Sequence, residues 1–174
     1  MSTAVYSMTF PDLRHAPPDQ KSMQEGLLFY FQNLDPRILQ IEDEGKLQDY
    51  LVPLNYKINR YVQDRFKINM TEYYEIDDPA ILVAGLLLGH YELSTGLLPI
   101  ETKIDWREVV ECVGSALGIV KGVKDIITSY TAIMNGSASI ETVWGVVRTI
   151  GKKYFGFITA GIALYKFGDC MDWW

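Results

Sequence analysis

Apolar side chains along much of this chain recur at the three- and four-residue steps of an α-helix. In "KLQDYLVPLNYKINRYVQDRFKI", Leu47, Leu51, Leu54, Ile58, Tyr61 and Phe66 share one face, and Pro53 predicts a break or a kink. Ser22 and Glu25 have capping-box spacing and open a short helix through "GLLFYFQNL". Asp35-Pro36 repeats a start signal, and Gly45 is expected to stop that piece. Asp77-Asp78-Pro79 opens "AILVAGLLL", which is apolar around its whole circumference. A helix without a polar face is enclosed by neighbours, so this one is the expected central post of a bundle, ending near Gly96. A buried strand is the rival reading; the length and the Asp-Pro opening argue for helix.

Two longer stripes follow. Asp105 and Glu108 again have capping-box spacing, and Val109, Val113, Ala116, Val120, Val123, Ile127, Tyr130 and Met134 continue at helical steps. "NGSAS" interrupts with turn residues, and Ile140, Val143, Val147, Ile150, Tyr154, Phe157, Gly161 and Leu164 resume the pattern. Two stripes joined by a short turn predict an antiparallel helical hairpin, each arm about 40 Å long at 1.5 Å per residue. The expected fold class is all-α: a small helical bundle around a buried apolar helix, followed by a long C-terminal αα-hairpin.

Charge divides the chain the same way. Residues 1–103 carry all of the formal net charge of −6, while residues 104–174 balance to zero. The expected organisation is an extended arm over 1–20, an acidic helical bundle over 21–103, and a glycine-rich hairpin with an aromatic tail over 104–174. The acidic balance argues against nucleic acid, whose phosphates need a basic face. The longest apolar runs, at 80–89 and 154–165, fall short of the roughly 20 residues of a membrane span. No secretory signal is recognisable at the N-terminus, so the default expectation is cytoplasmic. The sequons at Asn69 and Asn135 are read as chance matches for the same reason.

Within "VGSALGIVKGVKD", Gly114, Gly118 and Gly122 recur every four residues, nearly opposite the apolar stripe. Each glycine inside a helix costs about 0.5–1 kcal/mol relative to alanine, so the row calls for a reason. Close packing of another helix against that face is the leading reason; conditional membrane insertion and simple exposure are the others. Glu111, Lys121 and Asp125 flank the row and make a stable span in lipid costly. Trp173 and Trp174 are further interaction candidates, as indoles favour protein interfaces and membrane boundaries. Cys112 and Cys170 either remain two buried thiols or form a disulfide. In an ideal hairpin Cys170 lies about 12 Å beyond the position facing Cys112, so a bond requires the tail to fold back after Gly168.

No nucleophile–base pair, phosphate loop or metal motif is visible, and neither a catalytic residue, a metal site nor a cofactor is expected. The best cluster of carboxylates and histidine is Glu72, Glu75, His90 and Glu92, which lacks the paired Glu-x-x-His of bundle metal sites. His90 is better read as capping the end of the buried helix.

From Cys112 onward, "ECVGSALG", the "NGSAS" turn, "IGKKYFGFITAGIALYKFGDC" and the closing aromatic pair resemble the glycine-rich, two-cysteine C-terminal regions of small bacterial bacteriocin-precursor-like proteins. The resemblance covers about 63 residues and implies a peptide that acts on membranes after export or processing. No double-glycine cleavage site precedes the segment. Two functions are therefore expected. The first is a non-enzymatic interaction or assembly protein, joined through the hairpin to a protein partner or a second copy. The second is a membrane-active protein whose hairpin inserts, with Lys152 and Lys153 meeting anionic lipid.

Overall fold

The computed structural model describes residues 26–95, 106–118, 139–154 and 156–174. Among them are α1 (Phe29–Gln32), α2 (Glu44–Phe66), α3 (Ala80–Thr95), α4 (Trp106–Leu117), α5 (Ile140–Gly151) and α6 (Phe157–Cys170), with 3-10 turns at Ile38–Gln40 and Met70–Glu72 and no strand. The fold is all-α. The sequence signals at Ser22, Glu25, Asp105 and Gly122, and the stripe from Val120 to Met134, lie outside the described residues.

The apolar run forms the central helix. Asp78 Oδ1 accepts the Ala80 N–H at 2.8 Å and starts α3; every residue from Ala80 to Glu92 is then buried. Helices α2, α4, α5 and α6 all pack against it, which is how a helix with no polar face is accommodated. Two of its glycines permit close approach. A β-carbon at Gly85 would stand 2.9 Å from Ile58 Cγ2, and one at Gly89 would stand 2.6 Å from Leu28 Cδ2.

Three expectations about elements change. Gly45 does not end a helix; it lies in the first turn of α2, because Asp43 caps that turn by accepting from Lys46 N at 3.0 Å. Of the break or kink expected at Pro53, the break does not occur: Pro53 sits inside α2, which runs as one element from Glu44 to Phe66. The second hairpin arm is not continuous: it breaks between Gly151 and Gly156. At the break Tyr154 is buried and donates to Leu117 O at 3.4 Å. A new helix starts where the Glu44 carboxylate accepts from the N–H groups of Phe157 and Ile158. The two halves of the stripe thereby serve different neighbours, α5 against α3 and α6 chiefly against α4.

One apolar core runs from Leu27 to Phe167 and draws on residues either side of position 103. The acidic and neutral parts of the sequence share it.

Candidate functional site

Helix α4 has two unlike faces. Cys112, Val113, Ala116 and Leu117 are buried, whereas Glu108, Glu111, Ser115 and Gly118 are exposed, at helical steps of three and four. Gly114 is half-buried at the flank of that exposed face and Gly118 ends the helix in a turn. Among the described residues, a β-carbon at Gly118 would meet only the carbonyl oxygens of Gly114 and Ser115, the former at 2.9 Å.

The buried face of α4 is bonded covalently. Cys112 and Cys170 form a disulfide with α-carbons 5.5 Å apart. The break between α5 and α6 makes this pairing possible, since it frees α6 from the register of an uninterrupted arm. Cys170 is itself the last residue of α6, so no fold-back at Gly168 is required.

The chain turns back just beyond. Asp172 is left-handed with φ 58°, Trp173 N donates to Gly168 O at 2.9 Å and Asp172 N to Asp169 O at 3.2 Å. This is a Schellman end, here without glycine at the left-handed position. It lays Trp173 edge-on to Phe167, ring centres 5.1 Å apart. Trp174 covers Gly168, where a β-carbon would stand 1.9 Å from the indole. Both tryptophans are half-buried on their own helix.

The residues weighed for chemistry are dispersed. Glu72 and Glu75 are exposed, and among the described residues no three His, Cys, Asp or Glu side chains gather as a metal site. His90 does not cap a helix end; it lies within α3 with 1% of its surface exposed, and burial pushes its imidazole down to about 4. Glu92 is fully buried. Its Oε1 accepts from Leu27 N at 2.7 Å, Tyr61 donates its hydroxyl to Oε2, and Arg65 Nε lies 3.2 Å from Oε2. Burial raises the Glu92 carboxyl above its ordinary value, against the lowering pull of Tyr61, Leu27 N and Arg65. Burial likewise raises Tyr61. This cluster ties the start of the described chain to α2 and α3. Its sequence signal was a lone glutamate in an apolar helix, with Tyr61 and Arg65 one turn apart on another.

An open groove of about 710 Å³ lies between the end of α2, the Met70–Glu72 turn and α5. Phe66, Lys67, Glu72, Tyr73, Ile140, Glu141, Trp144 and Arg148 contribute to its walls. Trp144 meets Tyr73 and Tyr74 edge-on, with ring centres 5.5 and 6.3 Å away. The Arg148 guanidinium carbon stands 4.6 Å from the centre of the Tyr73 ring. The sequence reading passed over these residues; Trp144 and Arg148 at i and i+4, with the Tyr73-Tyr74 pair, were the available signal.

The residues that an inserting hairpin would offer to lipid, among them Val143, Val147, Ile150, Phe157, Leu164 and Phe167, are in the core. Among the described residues no helix is long and apolar enough to cross a membrane. Comparison with protein-family models, curated proteins and solved structures gave no match to this chain.

Proposed function

We propose that this chain is a non-enzymatic α-helical interaction protein that docks the exposed face of α4 against a helix of a protein partner or of a second copy. The observation that carries the reading is the exposure of Ser115 and Gly118, two small residues on a helix whose opposite face is sealed by the core and by the disulfide. Small residues on a fixed helix allow a second backbone to come close. Two polar groups of the interior support it too: Glu92 is engaged by Tyr61, Leu27 N and Arg65, and the Asn55 side-chain NH2 donates to the carbonyls of Ile76 and Asp78. These are roles in holding the fold.

The disulfide adds a compartment to the reading. Such bonds persist in oxidising surroundings and are rare in the cytosol of mesophiles, which argues for an oxidising location over the cytoplasmic default.

The test is native mass in solution, with any co-purifying chain, for the unaltered protein, Gly118→Leu and Ser115→Leu. Ser115→Leu fills the same face without crowding the Gly114 carbonyl. Loss of the assembly in both variants, with helical circular dichroism retained, is the expected result. A monomeric unaltered protein with nothing bound, or an assembly indifferent to both changes, overturns the proposal.

A further inference from the structure

Trp144 and Arg148 stand one turn apart on α5 and both line the groove beside Tyr73. Trp144 Nε1 and Arg148 Nε are each buried and have no hydrogen-bond partner among the described residues. Native interiors pair nearly all such donors, and two unpaired ones on adjacent turns mark a place where an acceptor belongs. Arg148 takes part in neither of the ion pairs among the described residues, Arg37–Asp35 and Arg65–Glu92. Among the described residues its guanidinium lies over the ring of Tyr73, which is 47% exposed.

The chemistry of the acceptor follows from the donors. A guanidinium offers a planar fork of N–H groups, and a carboxylate matches it with two oxygens in one plane. The walls offered by Phe66, Tyr73 and Ile140 suit an apolar body, and the volume is in the range of small-ligand sites. Lys67 adds one positive charge at the rim, and Glu72 and Glu141 add two negative ones. That balance tolerates a single negative charge on the ligand and disfavours a dianion such as phosphate.

The geometry points to a binding site for a small monocarboxylate with an apolar, ring-sized body, held by Arg148 and the Trp144 indole. Both donors are closed to solvent, so the ligand reaches them by displacing the Arg148 side chain from the Tyr73 ring. This site is separate from the α4 face and stands or falls independently of it.

The test uses the full chain labelled with nitrogen-15, following the indole N–H resonance of Trp144, identified by its loss in Trp144→Phe. Phenylacetate should shift it saturably at millimolar concentrations, while 2-phenylethanol, with the same body and no charge, and inorganic phosphate should not. Arg148→Met should weaken phenylacetate binding about tenfold, the loss of roughly one charge-assisted hydrogen bond, with the other indole resonances unmoved. A buried water satisfying the two donors would leave the acid and the alcohol indistinguishable. That result overturns the proposal, as does an equal response to phosphate or no saturable shift with phenylacetate. These comparisons need only the unaltered protein, so they remain decisive if Arg148→Met fails to fold.

Discussion

At His90 the environment sets the charge: burial holds the imidazole near 4 against an ordinary 6.5, so the ring is neutral at pH 7. Its contribution to stability is complete above the unfolded value and is lost as pH falls from 6.5 through 4, in total about 3 kcal/mol. Glu92 runs the other way. Its folded value is raised, so its contribution is present below the ordinary carboxyl value and lost as pH rises through the folded one. Urea midpoints between pH 4.5 and 6.5 should therefore climb for the unaltered protein and stay level or fall for His90→Leu; a parallel climb in the variant would refute the assignment. Glycines show how far such local facts were legible. The row at 114, 118 and 122 stood out because it lies opposite the apolar stripe of an amphipathic pattern, where each glycine costs helix propensity. Gly85 and Gly89 have the same spacing and make close contacts, but in a wholly apolar helix nothing in the sequence separates a needed gap from one more small residue. Substitution to alanine tells them apart. Gly89→Ala drives a β-carbon into Leu28 and should cost about 1–3 kcal/mol. Gly145→Ala meets nothing within 4 Å among the described residues and should add about 0.5–1 kcal/mol through helix propensity. Thermal midpoints moving in opposite directions are the expected readout.

Among the elements, α6 depends on contacts that no local pattern announces. Its N-terminal turn is held by Glu44, a residue of the first turn of α2, whose carboxylate accepts from Phe157 N and, at 3.0 Å, from Ile158 N. One negative charge thus serves the positive ends of two helix dipoles. Removing it in Glu44→Ala should cost about 1 kcal/mol and speed amide exchange at Phe157, with Glu44→Gln between the two. The partner lies more than a hundred residues away in sequence, which is why the stripe from Ile140 to Leu164 read as one unbroken arm: the periodicity continues from α5 to α6 although they are two helices. The other end of α6 is held by the disulfide to α4, across a sequence separation of 58. Chain-entropy reasoning gives a loop of that length about 4 kcal/mol, or roughly 10 °C in midpoint for a chain of this size. Melting with and without dithiothreitol should show a loss of that order, reproduced without reductant by Cys112→Ala/Cys170→Ala; midpoints unchanged by reduction would mean that packing alone holds α6.

For the whole molecule, charge and packing divide the chain differently. The net charge of −6 belongs to residues 1–103, and that asymmetry suggested a chain in two parts, an acidic bundle and a neutral hairpin. Charge resides mainly on surfaces and says little about which apolar faces meet. The inward faces decide here: α3 is enclosed by α2 from one side of the boundary and by α4, α5 and α6 from the other. The all-α class was legible because helical periodicity is a local signal; the continuity of the core was not, because it depends on long-range docking that periodicity does not encode. A consequence follows for dissection of the chain. Residues 1–103 alone would leave α3 open along the sides that α4, α5 and α6 cover, and residues 104–174 alone would expose Val143, Val147, Ile150, Phe157, Leu164 and Phe167 to water. Each large apolar side chain returned to solvent forgoes about 1.5–3 kcal/mol, against a total stability of about 5–15 kcal/mol for an ordinary domain. The full chain should therefore unfold in a single calorimetric transition, and neither fragment should show a cooperative one. Two transitions in the full chain, or a cooperative melt of residues 104–174, would establish the hairpin as a separate unit. It would then be free to leave the bundle, as a membrane-inserting mode of action requires.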